Sequence, residues 1–238
     1  MQTKHIIITT LVIFLIAGCA GLFLSGAWPC SYFSPASKEI KEPDFMRKHI
    51  DAIGELHAAF PTSADVVFIG DSRVQIPQWQ DMFPRAHVAN RGIGGDTLDG
   101  LLKHVDNLGM QKPSVVVLEM GVNDVLRQRQ PEFTAAIADK VMKRLKPTAG
   151  RMVILEVIDC AVEGCDRNNV ADLNAKFRSL SVQYGAQFVP LNADLSGPDG
   201  LLPAYSYDGL HLNAAGYRVL SGILCEEIME LKCSHTRR

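Results

Sequence analysis

The sequence predicts an α/β fold, a parallel sheet of about five strands covered by helices on both faces. Three observations carry that expectation. Short apolar runs rich in β-branched residues, such as Asp-Val-Val-Phe-Ile-Gly at 65–70, are near-continuous rather than alternating, as strands buried on both faces must be. Longer amphipathic segments separate these runs, the pattern of strand–helix–strand crossovers. Glycine- and asparagine-bearing turns follow the runs, where parallel sheets place their chemistry.

Taken in order, residues 1–28 read as a leader. Lys4 and His5 precede an apolar run from Ile6 to Ile16, followed by Ala17-Gly18-Cys19, which describes a secretory signal. Ile16-Ala17-Gly18-Cys19 also resembles the lipobox of bacterial lipoproteins, in which Cys19 would be lipidated. Apolar residues continue to Trp28, so Ile6–Trp28 would equally span a bilayer of about 30 Å as an uncleaved anchor. Both readings leave Lys4 in the cytoplasm and place the rest in the periplasm or outside the cell, membrane-tethered through the N-terminus. Residues 29–42, with Pro, Ser and Lys, read as a linker, and 43–238 as one domain.

Within that domain an amphipathic helix is expected near Asp44–Phe60. Strands are expected at Asp65–Gly70, Val88–Asn90, Ser114–Met120, Met152–Ile158 and Gln187–Val189. Helices are expected at Thr97–Leu108, Pro131–Leu145, Asn168–Tyr184 and Asn213–Leu231, with Asp96, Asn168 and Asn213 as N-caps.

Composition narrows the function. Of 238 residues 47% are hydrophobic and 21% charged, enough to bury one substantial core. A formal net charge of −2 gives no electrostatic basis for nucleic-acid binding. Six cysteines suit an exported protein; Cys160 and Cys165 bracket a short loop and would either bridge in an oxidising compartment or remain free thiols. No spacing of Cys or His suggests a metal site.

Four short motifs carry chemistry. Gly70-Asp71-Ser72 ends the first strand; a serine hydroxyl there becomes a nucleophile once a base takes its proton. Gly92-Ile93-Gly94-Gly95-Asp96 lies between a strand and a helix, where backbone N–H groups can meet developing negative charge. It lacks the third glycine of a dinucleotide fingerprint, Thr97 standing in its place, and the Gly-Lys-Ser/Thr of a phosphate loop. In Gly121-Val122-Asn123-Asp124, the Asn123 amide can donate to an oxyanion, which an aspartate could not. In Asp208-Gly209-Leu210-His211, the spacing lets the carboxylate hold one ring nitrogen while the other faces Ser72.

With these motifs in this order, the sequence resembles the SGNH hydrolases, the GDSL-like esterase and lipase superfamily. Asn90 to Thr97 is particularly similar to the platelet-activating-factor acetylhydrolase branch and to bacterial lysophospholipase and thioesterase relatives. The resemblance implies a three-layer α/β/α sandwich around a flavodoxin-like parallel sheet. It also implies a triad of Ser72, Asp208 and His211, and an oxyanion hole from Ser72, Gly95 and Asn123. Arg73 departs from the leucine of the name motif.

The reaction expected is cleavage of a carboxylic ester through an acyl-enzyme, with neither metal nor organic cofactor. Short segments between the motifs leave no room for a large lid, so small acyl or acetyl esters, lysophospholipid-like molecules or acylated glycans are the candidate substrates. Arg73, Arg91, Arg127 and Arg129 would either attract an anionic substrate at the mouth or act as structural charges. An O-acyltransferase using the same residues, or a non-catalytic binding module, are the other classes open to this sequence.

Overall fold

A computed structural model describes residues 43–233 of the chain. The leader, Cys19, Cys30 and the whole linker lie outside the described residues. The elements run α1 (Asp44–Ala59), β1 (Val66–Gly70), α2 (Ser72–Gln75), α3 (Trp79–Met82), β2 (Val88–Gly92), α4 (Leu98–His104), β3 (Val115–Glu119) and α5 (Val122–Leu126). They continue with α6 (Pro131–Leu145), β4 (Arg151–Leu155), α7 (Arg167–Tyr184), β5 (Gln187–Val189), α8 (Asn192–Leu195), β6 (Ser196–Gly197), β7 (Gly200–Leu201) and α9 (Ala214–Glu227).

The central sheet has the order β2-β1-β3-β4-β5, and every pair in it is parallel. This is the expected α/β sandwich with a doubly wound, flavodoxin-like strand order. Alternation along each strand divides the core in two. Val67 and Ile69 of β1, with Val116 and Leu118 of β3, meet Leu98 and Leu101 of α4, Val141 and Leu145 of α6, and Leu173 and Phe177 of α7. Val66 and Phe68, with Val115 and Val117, meet Trp79, Phe83, and Tyr217, Leu220 and Leu224 of α9 on the other face. There the Phe68 and Trp79 rings stack at 3.9 Å, an interaction worth about 1 kcal/mol beyond burial.

Several boundaries differ from expectation for local reasons. β4 stops at Leu155, where its partner β5 ends, and the Asn174 side chain of α7 takes both the N–H and the carbonyl of Val157 in place of a neighbouring strand. The cap of α4 is Thr97, whose hydroxyl accepts from Gly100 N–H, because Asp96 turns inward. Asp166, not Asn168, caps α7 by accepting from the N–H groups of Asn168 and Asn169. Asn213 does cap α9, which ends at Glu227 before a separate turn at Met229–Leu231. The four-residue helices and the small β6–β7 ribbon are too short to leave a period in the sequence.

Among the described residues two disulfides are present, Cys160–Cys165 and Cys225–Cys233. The first pairs the cysteines whose bridging the sequence left open; the second joins α9 to the turn after it.

Candidate active site

β1 delivers Ser72 to the carboxyl end of the sheet through a turn that only glycine fits. A Cβ on Gly70 would lie 2.3 Å from both the Glu119 carbonyl and Val74 Cγ2. Asp71, fully buried, ties the turn by accepting from Arg73 N–H at 3.0 Å. Ser72 then opens the short helix α2.

The segment before α9 brings the imidazole to meet it. Ser206 Oγ accepts from the N–H groups of Asp208 and Gly209 and donates to the His211 carbonyl, closing a tight loop. Asp208 Oδ1 accepts from the backbone N–H groups of Leu210 and His211, and its Oδ2 lies 2.6 Å from His211 Nδ1. On the far side of the ring, His211 Nε2 is 2.9 Å from Ser72 Oγ. Burial alone would raise the Asp208 carboxyl, but the hydrogen bonds from the His211 ring and from the two backbone N–H groups outweigh it and hold it down at about 2. An ionised Asp208 can only accept, so Nδ1 carries the ring hydrogen and Nε2 presents its lone pair to the Ser72 hydroxyl. The Tyr207 ring stacks over His211 at 5.7 Å and nearly parallel.

β3 delivers the amide. Gly121, at φ +126° in a backbone region that side chains rarely adopt, turns the chain into α5, where Asn123 sits. Asn123 Nδ2 donates to the Asp96 carbonyl at 2.9 Å, which fixes the amide with one hydrogen committed. The second hydrogen of that group is the one a bound oxygen would use. Asp96 itself accepts from Thr97 N–H and lies 2.9 Å from His104 Nε2, so the loop carrying Gly94 and Gly95 is anchored at its end. Asp124, on the buried face of α5, accepts from Leu98 N–H and Arg129; burial pushes its carboxyl up to about 6 even though those partners pull the other way.

Ser72, Gly94, Gly95, Asn123 and His211 therefore line one cleft of about 500 Å³, together with Leu210 and with Phe45, Met46 and His49 of α1. All five residues singled out in the sequence, Ser72, Gly95, Asn123, Asp208 and His211, are gathered here.

The four arginines are not at the mouth awaiting an anion. Arg73 is buried, donating to the carbonyls of Leu210, Ile158 and Asp159. Arg91 donates to the carbonyls of Leu108 and Phe60, Arg127 to that of Gly95, and Arg129 to Asp124. None of them lines the cleft. The reading that they attract an anionic substrate is corrected accordingly: each satisfies backbone or carboxylate oxygens.

Two participants were not visible in the sequence. Glu119, at the end of β3, lies 3.7 Å from Arg73 Nη1. Burial first, and the neighbouring Asp71 second, push its carboxyl well above the ordinary range despite Arg73. Tyr217 of α9 donates to the Arg73 carbonyl at 2.8 Å from the opposite side. Both side chains reach the site from elements remote in sequence, so no local spacing announces them.

Known proteins resemble this chain in sequence and in fold. The sequence model described as the GDSL-like lipase/acylhydrolase family matches residues 63–219. The chain is 29% identical over 179 residues to the platelet-activating factor acetylhydrolase IB subunit alpha2 of Homo sapiens, covering 70% of this chain and 77% of that protein. Its fold is similar to a GDSL-like lipase from Bacteroides thetaiotaomicron, with TM-score 0.63 and 21% identity, over 77% of this chain and 98% of that one. It is also similar to a variant of an acetyl-xylooligosaccharide esterase from Geobacillus Stearmophilus, with TM-score 0.58 and 18% identity, over 75% and 98% of the two chains.

Proposed function

The chain belongs to the GDSL-like lipase/acylhydrolase family, and from that premise we propose that it cleaves carboxylic esters through a serine acyl-enzyme built on Ser72, His211 and Asp208. The observation that carries this reading is the continuous relay from Ser72 Oγ through His211, 2.9 Å on one side of the ring and 2.6 Å on the other.

His211 Nε2 takes the Ser72 proton as Oγ bonds to the ester carbonyl carbon, and the carbonyl pair moves onto oxygen. That oxyanion is met by the N–H groups of Ser72 and Gly95 and by the free hydrogen of the Asn123 amide. Collapse breaks the bond to the alkoxy group, which leaves with the proton held on His211. Water then repeats the sequence on the acyl-enzyme, releasing a carboxylic acid and restoring Ser72. Asp208 holds the ring in the required tautomer and stabilises its charged form.

Small acyl or acetyl esters, including lysolipid-like and acylated-glycan substrates, suit an open cleft of this size. Transfer of the acyl group to an alcohol acceptor would use the same residues, and product analysis with added acceptor distinguishes the two. The proposed setting is outside the cytoplasm, with residues 1–28 as signal or anchor, 29–42 as linker and 43–238 as the hydrolase domain. The two disulfides support an oxidising compartment.

A fluorophosphonate probe with peptide mapping, and hydrolysis of a chromogenic short-chain ester, test the assignment together. Wild type should label at Ser72 and turn over; Ser72→Ala should do neither while keeping its circular dichroism spectrum. Wild-type turnover in that variant overturns the nucleophile.

A further inference from the structure

We propose that the disulfide-closed loop between β4 and α7 is the seat that holds His211 in line with Ser72, so that the Cys160–Cys165 bridge is a positioning element for turnover. The inference rests on the acyl-enzyme reading and adds a part of the molecule that acts on the relay from outside the cleft.

The stretch from Glu156 to Asp166 contains no helix or strand. Its backbone nevertheless lies against the loop that carries Asp208 and His211. Ala161 N–H donates to the Gly209 carbonyl at 2.7 Å. A Cβ on Gly209, itself at φ +81°, would stand 2.7 Å from the Ala161 carbonyl oxygen, so the two backbones meet with no side chain between them. Arg73 adds a second tie: its guanidinium collects the carbonyls of Ile158 and Asp159 from this stretch and that of Leu210, next to His211, from the other loop. At the other end of the turn Gln128 Nε2 donates to the Gly164 carbonyl, from just beyond α5, the helix that bears Asn123.

A segment without regular structure serves as a seat only if its own shape is fixed. Cys165 N–H donates to the Val162 carbonyl at 3.2 Å, a long bond for this purpose. The Cys160–Cys165 bridge closes the same turn covalently, with Cys160 buried in the core that holds Leu173 and Phe177 of α7. Opening the bridge lets the turn relax, and the contact it carries reaches Gly209, two residues from His211. A shift of about 1 Å in a catalytic group is enough to cost up to about a hundredfold in rate. No residue of this stretch lines the cleft, so the loss falls on turnover and not on substrate binding.

The second bridge is the control. Cys225–Cys233 closes a loop of comparable length, so it constrains the unfolded chain to a similar degree. Cys225 sits near the C-terminal end of α9, about 16 Å along the helix from the end that follows His211.

Turnover of a chromogenic ester is measured per serine labelled to completion by the fluorophosphonate probe. Wild type, Cys160→Ala/Cys165→Ala and Cys225→Ala/Cys233→Ala are compared with and without dithiothreitol. Dithiothreitol delivers two electrons and two protons to a bridge, giving two thiols and its own cyclic disulfide, and alkylation with peptide mapping shows which bridge has opened. Cys160→Ala/Cys165→Ala should lose about tenfold in kcat per labelled serine with KM changed by less than about twofold, and dithiothreitol should add nothing to that loss. Cys225→Ala/Cys233→Ala should keep the wild-type kcat and lose about tenfold once dithiothreitol opens Cys160–Cys165. A role in stability alone gives a different pattern, in which labelled protein decreases while kcat per label holds. That pattern, or equal losses of kcat in the two double variants, overturns the proposal and leaves the nucleophile standing. If Cys160→Ala/Cys165→Ala yields no folded protein, the dithiothreitol arm on Cys225→Ala/Cys233→Ala decides, and kcat per label unchanged after opening overturns the proposal. Wild type that neither labels nor turns over overturns the acyl-enzyme reading and this inference with it.

Discussion

Arg73 and Glu119 face each other across 3.7 Å with side-chain exposures of 2% and 3%, one residue past the serine and at the tip of the neighbouring strand. The guanidinium does not hydrogen-bond that carboxyl; its nitrogens are taken by the carbonyls of Leu210, Ile158 and Asp159. It therefore joins the turn bearing Ser72 to the loop bearing His211, and two buried carboxyls, Asp71 and Glu119, share its positive charge.

Removing one partner of such a group should be worse than removing two. Arg73→Leu leaves three carbonyls and two carboxyls without their cation and should cost about 3–5 kcal/mol. Adding Glu119→Leu should recover part of that loss. Urea unfolding of the two variants and wild type measures it, and a double variant no more stable than Arg73→Leu contradicts the pairing.

Asn123 should matter in the transition state more than in binding. Asn123→Ala should lower kcat on the order of 10²–10³ with a much smaller change in KM. Asn123→Asp should do no better, because a carboxylate offers no hydrogen to an oxyanion and would face the Asp96 carbonyl. Steady-state kinetics on one chromogenic ester decides this; a loss under tenfold removes Asn123 from its assigned role.

Acid should destabilise the fold through histidines remote from the relay. Burial, then the charges of Arg91 and His104, hold His57 down at about 4, and its Nδ1 is buried with no hydrogen bond to any described residue. An unfolded histidine titrates near 6.5. Between about 6.5 and 4 the unfolded chain binds a proton that folded His57 refuses, so stability falls as pH drops through that window and levels off beneath it. His104, also lowered chiefly by burial, acts in the same direction. Thermal melts from pH 7 to 4 should show this slope reduced in His57→Gln; an unaltered slope assigns the acid sensitivity elsewhere.

What could be read from the sequence was what local spacing controls. β1 and β3 were evident because both faces of each are buried, leaving uninterrupted apolar runs. Asp208 and His211 stand three residues apart, so one turn suffices to join them. Non-local contacts were not legible. The end of β4 depends on an amide from α7, and the choice of Thr97 over Asp96 as a cap depends on His104 drawing Asp96 inward. Arg73 reads as a surface charge until the carbonyls of two distant loops surround it. The periodicity of α1 predicts a helix but not that its first turn meets the glycine loop.

Ser72 and His211, in contact here, are 139 positions apart along the chain. A nascent polypeptide emerging from the ribosome would expose its hydroxyl and amide donors long before the His211 imidazole could arm them. Reactivity would switch on only when the final segment docks, so a prematurely stopped product is inert toward esters by construction.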